Sequence, residues 1–396
     1  MRVLVTGATG YLGGRLVPRL IDAGHTVRVL VRNPRKLHDV PWRDDVETVV
    51  GDLTDAATLS DAVADIDALY YLVHAMGAKG DFEETEKKSA NNLADAAAKA
   101  KVSRIIYLGG LHPEGDISGL SRHLRSRAEV GRILMDSGVP TIAFNAGVVI
   151  GSGSASFEMI RHLTEVLPYM PAPKWVRNFI QPIAVRDVLY YLVSALELDK
   201  ELNRSFDIGG PDVLRYGQMM NGYALEAGLH QRPIASLPVL TPWLASQWVN
   251  LVTPIPRLLA VPIIESLQFD CIVRDDSVAD FIPEPDGGLT SYRASVRLAL
   301  VKMGDGEVET SWQDATVVGA PSDPIPSDPE WTGHTVYTDL RERRTPASPS
   351  ALWSVVEGIG GENGWYSFPL AWALRGWADK LVGGVGLRRG DAIRAP

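Results

Sequence analysis

The 396-residue sequence predicts an α/β protein built on a doubly wound parallel sheet, and three observations carry that expectation. Short β-branched runs alternate with helical patterns through the first 150 residues, the rhythm of strands returning to one sheet through crossover helices. A glycine-rich turn, TGATGYLGG, follows the first run and opens the first helical pattern. The composition, 45% hydrophobic and 22% charged, is that of an ordinary globular chain able to cover both faces of such a sheet.

Strands are expected at residues 2–6, 26–31, 46–50, 68–73, 104–108 and 141–149. The first helix carries Leu12, Leu16 and Leu20 at helical spacing. After Gly151 the rhythm loosens into a helix at about 157–167, a Pro-rich loop, the turn and helix of QPIAVRDVLYYLVSAL, and a strand-like SFDIGG. Irregular elements of this kind suit a small, mostly helical substrate lobe, so residues 1–320 are read as one nucleotide-binding domain with its lobe at about 151–320. PSDPIPSDPEW, residues 321–331, holds four prolines and no periodicity and reads as an extended linker. Residues 332–396 form a partial α+β C-terminal segment, in which HTVYTDLRERR looks like a strand and SPSALWSVVEGI like a capped short helix. Five of the ten tryptophans fall between Trp331 and Trp377, too many aromatics for so short a segment to bury alone.

Charge and cysteine content exclude several classes. A net charge of −9, with scattered Lys and Arg, excludes a nucleic-acid partner. The single cysteine, Cys271, rules out an intramolecular disulfide and any multi-cysteine metal site, and no metal site is expected. That usage suits a reducing compartment, and the apolar run at the N-terminus is short for a signal peptide, so a cytoplasmic location is expected. Residues 233–256 are uncharged for 24 positions, above the ~20 that span a bilayer. Pro233, Pro238, Pro242, Pro254 and Pro256 break that run, which reads as short apolar helices lining a pocket. Membrane-surface contact through Trp243 and Trp248 is the alternative.

The glycine turn has the chemistry of a dinucleotide site. Gly7 permits the tight turn, Gly10 lets backbone approach a pyrophosphate, and Gly13 allows close helix packing, with Thr9, Tyr11 and Leu12 at the same helix mouth. The second strand ends at Arg32, 19 residues after Gly13, where an NAD-selective site carries an acid. Arg32, Arg35 and Lys36 match a 2′-phosphate instead, so NADP(H) is favoured with NAD(H) as the second choice; a solvated basic turn is the bland alternative. Asp52 and Leu53 end the third strand beside the adenine position. Leu72, Val73 and His74 end the fourth beneath ribose and diphosphate, and Asn145, Gly147 and Val148 flank the nicotinamide.

Taken together, TGATGYLGG, GDLTD, the strand before His74 and the QPIAVRDV turn resemble an atypical or extended short-chain dehydrogenase/reductase, nearest the NmrA-like group, over roughly residues 1–310. The resemblance implies a Rossmann fold and a site with Tyr-x-x-x-Lys on the helix after the fifth strand and a serine near that strand's end. The sequence departs from that pattern at all three positions. His123-Leu-Arg-Ser-Arg127 stands where the pair is expected, and Gly109 and Gly110 where the serine is expected. At helical spacing Leu120, Leu124, Ala128, Gly131 and Met135 make a buried stripe, and Arg122, Arg125, Glu129, Arg132 and Asp136 a charged flank. His123 and Arg127 lie on the other flank, facing the cofactor cleft or else held by backbone carbonyls at the helix edge. In the cleft, Arg127 binds ribose hydroxyls or an oxyanion, and His123, whose reference pKa is ~6.5, exchanges a proton near neutrality.

These residues point to an NADP(H)-dependent oxidoreductase acting on an apolar carbonyl or enone compound. The alternative is a non-catalytic NADP(H)-sensing regulatory or scaffold protein; a sugar-nucleotide epimerase is weakened by the missing tyrosine. Beyond residue 331 the tail resembles the beginning of a START-like helix-grip domain and is too short for a whole one.

Overall fold

The structure, a computed structural model, describes residues 1–38, 40–74, 81–113, 115, 117–237, 257–304, 308–310, 345–357 and 374–375. Its strands are β1 (Arg2–Thr6), β2 (Thr26–Val31), β3 (Glu47–Val50), β4 (Ala68–Tyr71), β5 (Arg104–Gly110), β6 (Thr141–Ala146), β7 (Val149–Ile150), β8 (Met170–Pro173), β9 (Phe179–Ile180), β10 (Ile183–Ala184), β11 (Arg204–Ile208), β12 (Leu214–Arg215) and β13 (Ile234–Leu237). Seven of them form one parallel sheet in the order β11-β6-β5-β4-β1-β2-β3. The order reverses between β1 and β4, which places a crevice at the C-terminal strand ends there.

Alternation along the strands divides the core. Val3, Val5, Tyr70, Ile106 and Phe144 face one side, and Leu4, Leu69, Tyr71, Ile105 and Tyr107 the other. On the first side lie α1 (Tyr11–Asp22) and α6 (Val185–Ser194), through Leu16, Val17, Leu20, Val188 and Leu192. The second is covered by α2 (Ser60–Val63), α3 (Phe82–Lys99) and α4 (Arg122–Met135), through Val63, Ala90, Leu93, Val130 and Leu134. This is a doubly wound Rossmann fold, as the sequence predicts.

The fifth strand runs on to Gly110 and the third starts a residue late at Glu47, and two other strands end short of expectation. The fourth strand stops at Tyr71 and the sixth at Ala146, so residues 72–74 and 147–148 leave the sheet as loops. A Cβ on Gly147 would sit 1.8 Å from the Gln181 carbonyl oxygen, so only glycine lets the chain turn there. The stretch assigned to the lobe also returns to the body: β11 pairs with β6, and Phe206 stacks on Phe144 with ring centroids 6.1 Å apart. The lobe proper is α5 (Ala155–Val166), α7 (Tyr216–Glu226), α8 (Arg257–Ser266) and α9 (Tyr292–Gly304), with small strand pairs between them.

In the C-terminal segment the short helix appears as α10 (Pro349–Glu357), where Ser348 Oγ accepts from the Ala351 amide at 3.3 Å. The linker 321–331, the strand expected at HTVYTDLRERR and residues 238–256 of the uncharged stretch lie outside the described residues. No described helix is long and apolar enough to cross a membrane.

One buried carboxylate ties lobe to body. Asp187, 1% exposed on α6, accepts from the Thr290 amide at 2.7 Å and the Thr290 hydroxyl at 3.1 Å, just before α9 begins. Asp187→Ala leaves both donors buried without an acceptor, and each such loss costs about 1–3 kcal/mol. Urea denaturation is therefore expected to show a loss of at least about 2 kcal/mol, against less for Asp187→Asn, which keeps one acceptor oxygen.

Candidate functional site

A cavity of about 540 Å³ runs along the C-terminal ends of the strands. Its lining follows sheet order, from Asp52 and Leu53 after β3, through Arg32 after β2 and Gly7 after β1, to His74 after β4, Leu108–Gly110 of β5, and Gly147 and Val148 after β6.

Glycine geometry builds the first half. Gly7 has φ +77, and a Cβ there would lie 2.8 Å from the Leu72 carbonyl oxygen. A Cβ on Gly13 would lie 2.1 Å from the Gly7 carbonyl oxygen, so α1 starts hard against the end of β1. Gly10 stands at the N-cap of α1, where no side chain caps the helix and no acid occupies the first turn. The leading amides of α1 and its dipole are thus left to an anion. Arg32, Asn33 and Lys36 line the cavity beyond β2, where Asn33 Oδ1 accepts from the Arg35 amide at 3.0 Å; Arg35 itself is not part of the lining. Asp52 Oδ1 accepts from the Thr54 amide and hydroxyl, both at 2.8 Å, which fixes the loop after β3. Thr9, Tyr11, Leu12, Leu72 and Val73 complete this half.

The second half is mostly apolar, with Ser154, Ser156 and Ser266 among its lining. Leu111, Leu124, Ile180, Tyr216, Ile263, Leu267 and Cys271 line it, with α8 closing over α4 and Ser121 Oγ meeting Ser266 Oγ at 3.1 Å. Burial pushes the Cys271 thiol up to about 12, so it stays protonated and unreactive.

Between the halves lies a polar chain. Glu86 of α3, 4% exposed, accepts from His74 Nδ1 through Oε1 and from the Ser126 hydroxyl through Oε2. His74 Nε2 is 3.1 Å from His123 Nδ1. The Arg127 guanidinium donates to the Leu108 carbonyl oxygen and lies 5.4 Å from the centre of the Tyr107 ring, whose hydroxyl donates to the Arg127 carbonyl oxygen at 2.9 Å. Burial opposes the charge of Glu86, but His74, the Ser126 hydroxyl and Arg127 outweigh it and hold the carboxyl at about 2. Burial lowers both imidazoles, His123 well below its ordinary value with His74 and Arg127 adding to the effect. At neutral pH the carboxylate is charged and both rings are neutral.

Sequence reasoning placed His123 and Arg127 on the cleft flank, and both line the cavity. The helix-edge alternative also holds in part, since Arg127 has a carbonyl partner. The titration of His123 near neutrality is corrected, because burial disfavours its charged form. The buried stripe of α4 is corrected as well: Leu124, Ser126, Val130, Gly131 and Leu134 are buried, while Ala128 and Met135 are half-buried. Asn145 does not line the cavity; its side-chain amide donates to Asp207 Oδ1 of the neighbouring strand at 3.2 Å. Sequence reasoning missed Glu86, although it stands at i, i+3, i+4 and i+7 spacing with Ser89, Ala90 and Leu93, the buried face of α3.

Residues 7–138 match a sequence family described as NAD(P)H-binding, and residues 331–396 match a family described as a protein of unknown function. A 3-beta-hydroxysteroid dehydrogenase of Mycolicibacterium neoaurum is 36% identical over 116 residues, which cover 27% of this chain and 31% of that protein. The match thus spans about a third of that relative's length. The photosystem II assembly factor Ycf39 of Synechocystis sp. is 25% identical over 255 residues, 60% of this chain and 72% of that one. Among solved structures, the Citrobacter sp. triphenylmethane reductase complexed with NADP(H) has a TM-score of 0.58 at 18% identity, covering 76% of this chain and 100% of that one. The Bordetella bronchiseptica enzyme WbmH in complex with NAD+ also has 0.58, at 15% identity, covering 77% and 99%. The fold and the family match agree: the body is a Rossmann fold, and residues 7–138 within it match the NAD(P)H-binding family. The likeness of the tail to a helix-grip domain gains no support.

Neutral buried histidines make stability depend on pH. With folded pKa values depressed, the unfolded chain takes up protons first, so stability is complete above about 6.5 and falls as pH drops below it. His162 of α5, brought down by burial and Arg161 to about 4, acts with His74 and His123. Glu86 adds a second loss as pH falls from its ordinary range toward about 2. Melting temperatures should be level from pH 7 to 8 and decline between 6.5 and 5. In urea denaturation over the same range, His162→Gln should flatten the fall of unfolding free energy by up to about 1.4 kcal/mol per pH unit.

Proposed function

We propose that the protein is an NADP(H)-dependent oxidoreductase acting on an apolar carbonyl or enone compound. The observation that carries this reading is the single cavity that joins the glycine cradle to an apolar chamber, with His123 and Arg127 between them. The dinucleotide fits residues on both sides of the switch point. The uncapped start of α1 suits the pyrophosphate, and Arg32 with Lys36 the 2′-phosphate. Asp52 and Leu53 suit the adenine side, Leu72, Val73 and His74 the ribose, and Gly147 with Val148 the nicotinamide. When bound, the nicotinamide supplies hydride exchange with the substrate carbon. Arg127 steadies ribose hydroxyls or the substrate oxygen, and His123 exchanges the proton at that oxygen. A neutral imidazole serves here because charging it in this site is disfavoured. The solved NADP(H) complex of the triphenylmethane reductase supports the cofactor, and the hydroxysteroid dehydrogenase relative supports an apolar substrate.

Calorimetry should give tighter binding of NADPH than of NADH, and Arg32→Asp should narrow or reverse the difference. Equal affinities for the two in the unmutated chain would remove the 2′-phosphate assignment.

His123→Ala should lower turnover of an apolar carbonyl and enone panel at least tenfold, at the low end of the ~10²–10⁴ that a positioned proton-transfer group contributes, with NADPH binding nearly intact. Arg127→Ala should weaken NADPH binding or abolish turnover. NADPH binding that protects the chain from protease, with no turnover on the panel, would instead support a sensor.

A further inference from the structure

We propose that Glu86 is a positioning residue that acts through His74 to hold His123 with its proton on Nδ1, so that His123 Nε2 meets the substrate as a proton acceptor and the site binds the hydroxyl form of its substrate. The proposal deepens the oxidoreductase reading and rests on it.

The argument begins with what each atom can donate. An ionised carboxylate only accepts hydrogen bonds. Glu86 Oε2 takes the Ser126 proton, so Oε1 can be satisfied at His74 only by an Nδ1–H. A neutral imidazole carries one proton, which leaves His74 Nε2 an acceptor. Among the described residues the ring nitrogen that meets it is His123 Nδ1, at 3.1 Å, and that nitrogen must donate. His123 Nε2 is then a lone-pair nitrogen, and among the described residues it has no hydrogen-bond partner. His123 lines the cavity, where a substrate can supply one.

The surroundings hold this pattern in place. Arg127 of α4 is the cation near both rings, and it opposes protonation of either. Tyr107 of β5 is buried and gives its hydroxyl proton to a backbone carbonyl, and buried Tyr71 of β4 packs edge-on against it at 5.9 Å between ring centres. The Tyr107 hydroxyl, so committed, does not compete for the chain of histidines. The rings of His74 and His123 lie 4.9 Å apart at their centres, tilted by 39°, which limits rotation of one without the other.

A balanced reaction follows. The substrate C–H bond breaks with its electron pair leaving as hydride to oxidised NADP, the oxidant named by the functional reading. The O–H bond breaks as its proton passes to His123 Nε2, and the carbonyl forms. His123 Nδ1 releases its proton to His74 Nε2, and His74 keeps its Nδ1 proton in the hydrogen bond to Glu86 Oε1. The positive charge therefore forms on His74, against the Glu86 carboxylate that offsets it, rather than on His123 in the cleft. In the reverse direction the same chain carries the proton back.

The test uses the full chain labelled with ¹⁵N-histidine, with two-bond ¹⁵N–¹H spectra recorded at pH 7.5. Both His74 and His123 should show the neutral tautomer protonated at Nδ1. Glu86→Ala should move His74 toward the Nε2–H form and, with it, His123. A His123 protonated at Nε2 in the unmutated chain would overturn the proposal, and so would a His123 tautomer indifferent to Glu86→Ala. Should that variant not fold, Glu86→Gln keeps the shape with a weaker acceptor and must still reduce the Nδ1–H population of His74. If NADPH binds and the tautomers differ from these, the relay is wrong and the oxidoreductase reading stands. If NADPH does not bind, the functional reading is wrong whatever the tautomers.

Discussion

The close approach of Gly13 to the Gly7 carbonyl oxygen is the constraint on which the rest of the structure depends. No side chain fits at either residue, since a Cβ at Gly13 would stand 2.1 Å from that oxygen and one at Gly7 2.8 Å from the Leu72 oxygen. The first contact fixes where α1 begins relative to β1, and the second brings the loop after β4 against the same turn. An uncapped helix start, the Leu72–His74 backbone and the end of β5 are thereby fixed around one crevice. An anion site made of backbone amides is stiff, because it has no rotamers to order on binding.

That same loop carries His74 to Glu86, and so couples the nucleotide cradle to the polar chain. A carboxylate buried on α3 would ordinarily take up a proton. Here two hydrogen-bond donors and a nearby guanidinium keep it charged, and that charge decides which nitrogen of each histidine holds a proton. The positions given to tyrosine and lysine in the resembled family hold His123 and Arg127 instead. Neither is a simple replacement: arginine does not give up its proton, and this histidine resists gaining one.

Legibility in the sequence followed the range of the interaction. Strand positions were read to within a residue or two across most of the sheet, because alternation and glycine punctuation are local signals. The cofactor turn was readable for the same reason. What failed depended on contacts distant in sequence. Asn145 sits on a strand end that looks as if it should face the crevice, yet β11 lies alongside and Asp207 takes its amide. The stretch at 204–208 read as lobe because nothing local says that it returns to pair with β6. Glu86 was overlooked among the charges of EETEKKS, though its spacing to Ser89, Ala90 and Leu93 marks the buried face. A charged residue on an apolar stripe is the sequence signal to which such a site gives rise.

The lobe explains why an apolar chamber can adjoin so polar a chain without flooding it. Its helices are anchored to the body by contacts at their roots, Asp187 with Thr290 before α9 and Gln181 with the Gly210 carbonyl and the Val273 amide at 2.8 and 2.9 Å. Between those roots α8 lies across α4, setting Ile263 and Leu267 opposite Leu124 in the cavity wall. The cavity around His123 is therefore walled largely by hydrocarbon on the lobe side and by hydrogen-bonded groups on the sheet side. On the proposed reading, a substrate with an apolar body and one oxygen suits both sides, since its body displaces water from the chamber and its oxygen meets His123 and Arg127. A polar substrate would lose hydration along the chamber wall with nothing to replace it. On the proposed reading, the lobe supplies the walls that meet the substrate and the strand ends supply the groups that meet the cofactor.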